Sequence, residues 1–197
     1  MIATRDAGRS RAGRERPSRA ENRVDAVMRL ATWNVNSLKA RLPRVEEWLD
    51  YAKPDVICMQ ETKLADAAFP VMPFEARGYE VAHHGNGRWN GVAIASRVGI
   101  ADPVAGFSGE NESDIVESRI ISATCGDIRV TSVYVPNGRA VGTEHYDAKL
   151  EWLDRLATHL DESCDPAGQV AVCGDFNIAP DDRDVYDPAK FTNATHV

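Results

Sequence analysis

Polar side chains follow four apolar stretches of the sequence, each of which has the length and composition of a β-strand. Asn34 ends the first stretch, Glu61 follows DVICMQ, Tyr134 lies in VTSVYVPN, and Asp175 and Asn177 follow QVAVC. Strand ends on one rim of a sheet can converge on one cleft, where loops rather than core packing fix the residue type. Two carboxylates, two amides and a phenol in one cleft suit phosphoryl transfer assisted by a hard cation.

Each of these residues has a role in such chemistry. Mg²⁺ prefers oxygen ligands and takes one or two carboxylates besides water and substrate oxygens, which makes Glu61 the best candidate for a direct ligand. Asp175 suits the group that orients an attacking water and accepts its proton. Asn34, Asn177 and the Tyr134 hydroxyl can donate hydrogen bonds to phosphate oxygens, and one preorganised donor can lower a barrier by ~3 kcal/mol.

The same residues also have purely structural interpretations. Asn34 could start a turn or cap a helix, and Glu61 could be an exposed charge in the first turn of a helix. Tyr134 could be a half-buried strand aromatic. Asp175 and Asn177 could form an Asx-turn. The chemical interpretation is favoured because all four strand ends carry groups suited to one task.

Apolar patterning predicts the elements that position these residues. Strands are predicted at Met28–Trp33, Asp55–Gln60, Tyr79–His84, Gly91–Arg97, Ile115–Cys125, Ile128–Val135 and Gln169–Cys173. Of these, 79–84 should pair with 91–97, and 115–125 should form a hairpin with 128–135 that turns at Gly126. No element is predicted after Ile178.

Two helices lie between the predicted strands. The first precedes Pro54, and its apolar positions are Leu42, Val45, Trp48, Leu49 and Ala52. The apolar face of the second is predicted to hold Tyr146, Leu150, Leu153, Ala157 and Leu160. The mixture predicts an α/β protein with partly antiparallel strands and helices on the sheet faces. The sequence has no Gly-x-Gly-x-x-Gly after its first strand and no Walker loop, which argues against Rossmann and P-loop proteins.

Composition and charge limit the classes of protein to which this chain can belong. The formal net charge of −7 argues mildly against a purely electrostatic DNA binder. Residues 1–27 contain seven arginines and four acidic residues without apolar periodicity, and we predict that they form a disordered basic extension. No apolar run is long enough to cross a bilayer, and no secretory signal begins the chain. We expect a soluble, cytoplasmic monomer with four reduced cysteines.

Five segments resemble a known family in order and context: LATWNVNSLKARLPRV, PDVICMQETK, WNGVAIASR, VTSVYVPNG and VCGDFNIAP. They are similar to the exonuclease III-like abasic-site (AP) endonucleases of the endonuclease/exonuclease/phosphatase superfamily. The likeness runs from Met28 to about Pro180. GDFN and QE alone would indicate only the superfamily, whereas NVNSLKAR, QETK and YVPNG together indicate the DNA-repair branch. The resemblance implies a four-layer α/β sandwich (DNase I-like), of which residues 28–197 would be the N-terminal part.

The resemblance also implies a function and residue roles. It implies Mg²⁺-dependent phosphodiester hydrolysis, with Mn²⁺ as an alternative cation, at abasic sites and 3′ ends of double-stranded DNA. It carries over Tyr134, Asp175 and Asn177 as catalytic residues. It places Asn34, Glu61, Asp175 and Asn177 at the metal site. It offers Lys39, Arg41, Arg44 and Arg119 as DNA-binding residues.

The family pattern is incomplete in these 197 residues. A second set of strands, a later aspartate and a final Ser-Asp-His motif do not occur, so we expect a partial domain that is inactive alone and leaves apolar sheet faces exposed. Two alternatives stay open. One is a superfamily phosphodiesterase or phosphatase with a non-DNA substrate, and the other is a catalytically dead nucleic-acid-binding module.

Overall fold

Two four-stranded sheets and the helices that cover them form the fold. The computed structural model describes residues 27–110 and 117–196. In chain order the elements are β1 (Leu30–Asn34), α1 (Leu38–Ala52), β2 (Val56–Gln60), α2 (Met72–Glu75), β3 (Glu80–His84), β4 (Val92–Ser96), β5 (Ala101–Ala105), β6 (Ile120–Cys125), β7 (Ile128–Tyr134), α3 (Glu144–Ser163), β8 (Val170–Asp175) and α4 (Pro188–Phe191). Short 3-10 helices occur at Asp66–Ala68 and Asp182–Asp184.

The strand order brings distant parts of the sequence to one rim. The first sheet has the order β1-β2-β4-β3, and the second has the order β5-β6-β7-β8. The pairs β1-β2 and β7-β8 are parallel, and the other pairs are antiparallel. Parallel neighbours need a crossover, which α1 supplies in the first sheet and α3 in the second. In register, Asn34 lies opposite Gln60 and Tyr134 lies opposite Asp175, so the candidate residues share strand ends.

Local sequence fixes where α1 begins and ends. The Ser37 side chain accepts a hydrogen bond from the backbone N–H of Ala40 at 3.4 Å and so caps the helix. Lys53 has the left-handed φ of 45°, and its N–H donates to the Leu49 carbonyl. Pro54 follows, which cannot continue the helical hydrogen bonds. The helix therefore ends just before β2, as the sequence predicted.

Three apolar clusters show the order of the layers. In the first cluster, α1 residues such as Val45 and Leu49 pack on Met59 of β2. In the second, residues of the first sheet such as Ile94 pack on residues of the second sheet such as Ile121. The third lies under α3 and contains Phe107, Val133, Trp152 and Leu156. The resulting order of helix, sheet, sheet and helix confirms the predicted four-layer α/β sandwich.

The expected exposure of apolar sheet faces is wrong for β2 and holds only in part for β8. Every residue of β2 is buried, and its inner side packs on the second sheet, which these residues themselves supply through β5 to β8. Strand β8, an edge strand, is only half-buried, and its Val170 is 38% exposed. Both sheets of the sandwich are therefore present, with one face of each covered by the other.

Several predicted bounds are corrected. β5, α2, α4 and the two 3-10 helices were not predicted, and the 3-10 helix at Asp182–Asp184 together with α4 disproves the predicted absence of elements after Ile178. Strand β6 starts at Ile120, and the predicted start at Ile115 lies outside the described residues. Both predicted antiparallel pairs are confirmed, and Gly126 turns the hairpin with a φ of 60°. The predicted extension lies, except for Val27, outside the described residues.

The buried face of α3 also differs from the prediction. Its buried residues are Lys149, Trp152, Leu156 and His159. Leu150, which was assigned to the core, is 45% exposed. The buried stripe of the helix contains a lysine and a histidine. A pattern of apolar residues alone therefore placed the buried face about one position away from where it lies.

Candidate active site

Three strand ends converge on one side-chain amide. The Nδ2 atom of Asn34, at the end of β1, donates to Glu61 Oε1 at 2.7 Å and to Asp175 Oδ2 at 2.8 Å. Glu61 directly follows β2, and Asp175 ends β8. The two sheets therefore each contribute a carboxylate, and Asn34 joins them across the sandwich. All three side chains are half-buried.

A strained but well-supported loop aims the Glu61 side chain. Glu61 has a φ of 54°, a conformation that costs a residue with a side chain about 1–3 kcal/mol. Its carbonyl accepts from the N–H of Ser37 at 2.7 Å, and the Thr62 carbonyl accepts from Leu38 at 3.0 Å. Gly91 has a φ of 93°, and a Cβ there would lie 2.2 Å from the Thr62 hydroxyl. The loop thus depends on the glycine of WNG, and its hydrogen bonds hold the strained backbone.

Lys63 neutralises Glu61 from the side opposite Asn34. Its Nζ lies 2.8 Å from Glu61 Oε2 and donates to Asn36 Oδ1 at 2.6 Å. Burial opposes ionisation of Glu61, but hydrogen bonds from Lys63, Asn34 and Tyr134 outweigh it, and the pKa of Glu61 is lowered. Lys63 had no predicted role. The available signal was an opposite charge two positions after the candidate ligand in QETK.

Tyr134 is held as a neutral hydrogen-bond donor. Burial first, and then the negative charge of Glu61, raise the pKa of Tyr134 to about 12. Its hydroxyl interacts electrostatically with the Glu61 carboxylate, and the Arg119 guanidinium lies 4.7 Å above its ring centroid. Arg119 in turn pairs with Glu117 at 2.6 Å. At neutral pH the phenol keeps its proton, so it can donate to an oxygen but cannot serve as a base.

The Asp175–Asn177 turn confirms the structural interpretation of these residues and leaves the chemical one a prediction. The N–H of Asn177 donates to Asp175 Oδ1 at 3.0 Å, which is the predicted Asx-turn. The other oxygen of Asp175 faces Asn34, so the turn leaves the carboxylate in the cleft. Asn177 Nδ2 donates to the Val135 carbonyl at 2.8 Å, and Asn177 Oδ1 accepts from Asn137 at 3.2 Å. Asn137 is a second residue without a predicted role, although it lies in the YVPNG segment.

The donor set fits a hard cation that keeps part of its hydration. Glu61 and Asp175 supply only oxygen and retain lone pairs beyond their present hydrogen bonds, whereas Asn34 turns its Nδ2 toward both carboxylates and its Oδ1 toward the Asn36 N–H. Within 27–110 and 117–196, no group of three or more His, Cys, Asp or Glu residues is placed to hold a metal ion. Mg²⁺ and Mn²⁺ sites that use substrate oxygens need no such group, whereas a structural zinc site does.

The candidate DNA-binding residues differ in their distance from this cluster. Arg41 donates to the Asn36 carbonyl at 2.7 Å, and Arg119 contacts the cluster through Tyr134. Lys39 and Arg44 lie on the exposed surface of α1, where Arg44 pairs with Glu47 at 2.7 Å. Among the described residues, the structure therefore groups Arg41 and Arg119 with the acidic cleft and leaves Lys39 and Arg44 exposed on α1 without a contact to it.

A sandwich with an acidic, amide-rich cleft at its strand ends defines a class of hydrolase-like folds. The chain matches the model of the Endonuclease/Exonuclease/phosphatase family over residues 31–195, and it belongs to that family. It is 34% identical to exodeoxyribonuclease III of Haemophilus influenzae over 163 residues, which cover 80% of this chain and 60% of that protein. Within the family, the chain belongs to the exonuclease III/AP endonuclease group.

Solved structures agree with this assignment. An AP endonuclease from Archaeoglobus fulgidus superposes with a TM-score of 0.81 at 40% identity, covering 86% of this chain and 65% of that one. The 3′ phosphatase NExo from Neisseria, bound to a product DNA hairpin, gives a TM-score of 0.79 at 36% identity and covers 84% and 63%. The chain thus spans less than two thirds of the length of these relatives. In the described part of the chain, no helix is long and apolar enough to cross a membrane.

Proposed function

We propose that this chain carries part of the active site of a metal-dependent DNA-repair nuclease that hydrolyses phosphodiester bonds at abasic sites and 3′ ends of duplex DNA. The observation that supports it most is the Asn34 amide, which holds Glu61 and Asp175 in one cleft between the two sheets. The two carboxylates come from separate sheets, and besides their structural partners, the Asn177 N–H and Lys63, both face this cleft. They supply the charge that a hydrated divalent cation needs.

The residues of the cleft have distinct parts in this proposal. Glu61, Asp175 and Asn34 would hold Mg²⁺ or Mn²⁺, which when bound supplies a Lewis acid for a phosphoryl oxygen. Asp175 also takes the proton of the attacking water. Tyr134 donates its hydroxyl hydrogen to a phosphate oxygen, because burial keeps it protonated. Asn177, fixed by Val135 and Asn137, contributes a further amide donor to the developing charge.

DNA is the substrate class that best fits the surroundings of the cleft. Arg41 and Arg119 border it, and Lys39 and Arg44 are exposed further along α1. Since the whole chain carries a net charge of −7, affinity for phosphates must come from such local basic residues. The relatives support the same class, since one is an AP endonuclease and another was solved with a DNA hairpin.

Binding of defined duplexes tests the proposal. Fluorescence anisotropy would compare a duplex with a tetrahydrofuran abasic site, an intact duplex, and a duplex with a recessed 3′-phosphate, each in Mg²⁺ and in EDTA. We expect Mg²⁺ to strengthen binding of the abasic or 3′-phosphate duplex by about tenfold, or ~1.4 kcal/mol, relative to the intact one. Equal affinities for the three duplexes that do not change with Mg²⁺ would contradict the proposal and favour a catalytically dead nucleic-acid-binding module. Hydrolysis of a phospholipid headgroup instead of DNA would favour the other superfamily activity.

Turnover by the 197-residue chain alone is expected to be very low. In residues 27–110 and 117–196, the histidine that bonds nearest to the cleft is His196, whose partner is Asn137 at 3.1 Å rather than a carboxylate. Groups that act as a unit lose most of their effect when one is missing. Robust Mg²⁺-dependent cleavage of the abasic duplex by this chain would show that the described residues are sufficient.

A further inference from the structure

A buried lysine lies behind the candidate active site. Lys149, on α3, is only 2% exposed. Its Nζ donates to the backbone carbonyl of Asn177 at 2.8 Å and to that of Thr195. In the described part of the chain it forms no ion pair with a carboxylate. Removing an ammonium from water costs several kcal/mol, on the order of the stability of a whole domain, so its two carbonyl partners must compensate.

The two carbonyls belong to segments that meet beside the cleft. Asn177 completes the turn that begins at Asp175. The backbone of the other segment bonds to the same loop, because the N–H of Ala179 donates to the His196 carbonyl at 2.6 Å. Asn137 lies between them, with its Nδ2 at 3.2 Å from Asn177 Oδ1 and 3.1 Å from His196 Nε2. Lys149 therefore ties both segments to α3.

The glycine of YVPNG makes room for this lysine. Gly138 is buried and has a φ of 79°, a conformation that favours glycine. A Cβ at Gly138 would lie 2.9 Å from Lys149 Cδ and 3.4 Å from Tyr146 Cδ2. The Lys149 stem thus passes directly against the Gly138 backbone on its way to Asn177. This contact gives a physical reason for a glycine at that position.

We propose that Lys149 is a positioning residue, which holds the Asp175–Asn177 turn against α3 and so fixes the direction of the Asp175 carboxylate. The inference rests on the proposed function in so far as it gives that turn a catalytic role. The ammonium is suited to the task because it offers three donors and can bond two carbonyls at once. Both acceptors are main-chain atoms, so the contact restrains the path of the backbone itself.

Amide hydrogen exchange measured by NMR on the full chain tests the inference. Lys149→Met keeps the apolar stem and removes the charge, and Lys190→Met removes an exposed lysine from α4 as the matched control. We expect exchange of the Asn177 amide to accelerate by about tenfold or more in K149M while the amides of β2 and β4 stay within about threefold of wild type. An unchanged Asn177 amide would overturn the inference. Equal acceleration of amide exchange across both sheets would also overturn it, because Lys149 would then stabilise the whole fold rather than the Asp175–Asn177 turn.

Two further measurements keep the test decisive. If K149M does not fold, Gly138→Ala is measured in its place, because the added methyl displaces the lysine stem without removing the charge. It should accelerate exchange at Asn177 above the rest of the fold, and an unchanged Asn177 would overturn the inference. Binding of the abasic duplex is recorded in parallel. If wild type fails to bind it in Mg²⁺, the proposed function fails while the exchange result stands. If wild type binds and Asn177 is unaffected, only the role of Lys149 fails.

Discussion

Asn34 has a dual role that its residue type explains. Its side-chain nitrogen donates to Glu61 and to Asp175, while its side-chain oxygen accepts from the backbone of Asn36 at 3.0 Å. Two carboxylates in one cleft repel each other, and each hydrogen bond to a charged group stabilises by about 1.5–3 kcal/mol. Together with the ammonium of Lys63, the amide favours the ionised form of Glu61, whose pKa is lowered. An aspartate at this position would supply no such donor.

Asp175→Asn separates the proposed catalytic role of this residue from its structural role in the Asx-turn. The new amide oxygen can still accept from the N–H of Asn177, but its NH₂ would face the NH₂ of Asn34. We expect the free energy of unfolding to fall by only ~1 kcal/mol, as for loss of one hydrogen bond. Metal-dependent hydrolysis, measured in any form of the protein that turns over, should fall to background because an amide cannot accept the proton. A variant that melts early yet cleaves at a near-normal rate per folded molecule would make Asp175 structural.

The sequence was sufficient to find the residues at the strand ends but not the residues that support them. Asn34, Glu61, Tyr134 and Asp175 could be predicted because each ends an apolar strand, and the structure brings all four into contact. Lys63 and Asn137 could not be assigned, since their partners depend on loop geometry that no periodicity encodes. Their types fit many surface positions equally well. Whether any of these residues binds metal or DNA stays a prediction.

At the scale of elements, helix α3 shows how buried polar residues mislead a pattern search. Its buried stripe follows helical spacing from Lys149 through Trp152 and Leu156 to His159. Counting only apolar residues moved the face toward Leu150, which is 45% exposed. Lys149 and His159 are buried because each has backbone partners, which sequence patterning cannot reveal. Strand β5 was also not predicted. Its sequence ADPVA contains a proline, and its pairing with β6 shifts register at the edge of the sheet.

Paired alanine substitutions on α3 check the corrected face. Leu156 is 5% exposed and packs in the cluster under the helix, so Leu156→Ala should lower the free energy of unfolding by about 2–4 kcal/mol. Leu150→Ala should change it by no more than about 0.5 kcal/mol. Urea denaturation followed by circular dichroism measures both values. Similar losses at the two positions would mean that both faces of the helix are packed.

His159 should make the fold sensitive to acid. Its Nδ1 accepts from the backbone N–H of Ser108 at 2.9 Å, which requires the neutral ring. Burial first, and then the charge of Arg129, lower the pKa of His159. At mildly acidic pH the folded state therefore binds fewer protons than the unfolded state. The contribution of His159 to stability is complete above the ordinary histidine pKa of about 6.5. It is lost as the pH falls through the lower pKa of the folded state.

Chemical denaturation at pH 7.5 and pH 5 measures this dependence. His159→Gln, which keeps a side-chain acceptor but does not titrate, should reduce the acid loss of stability. His145→Gln, at an exposed histidine of the same helix, is the control and should leave the acid loss as in wild type. If H159Q loses as much stability between pH 7.5 and pH 5 as wild type does, other titratable groups cause the loss.

At the scale of the whole molecule, strands β5 to β8 cover the inner face of the first sheet, a role that the sequence analysis had assigned to further strands. The family likeness predicted the layers correctly, but the second sheet was assumed to need further strands. Strands β5 to β8 already form it, and Ile121 and Val130 bury the inner face of the first sheet. The order of the strands could not be derived from the sequence, because the crossovers through α1 and α3 join strands by long-range contacts.

Removal of residues 1–27 should leave the fold intact. Val27 is 88% exposed, whereas Met28 packs at the edge of the cluster between the sheets, so the cut leaves every packed side chain of the described residues in place. A chain that begins at Met28 should unfold within about 0.5 kcal/mol of the full chain. Its affinity for duplex DNA at low salt should also match. A large loss of that affinity, with a weaker salt dependence, would show that the arginines of the extension bind phosphates.

The metal site that we propose at Asn34, Glu61 and Asp175 is tested most directly by titrating the full chain with Mn²⁺ and observing paramagnetic broadening of its amide resonances. Broadening should appear first at the amides of Val35, Thr62 and Phe176, which follow the three candidate ligands. Glu61→Gln should weaken Mn²⁺ binding by about tenfold or more, or at least ~1.4 kcal/mol, and Glu47→Gln on exposed α1 should not change it. Broadening that begins elsewhere, or an affinity that E61Q leaves unchanged, would contradict the assignment of these strand ends as a metal-dependent active site.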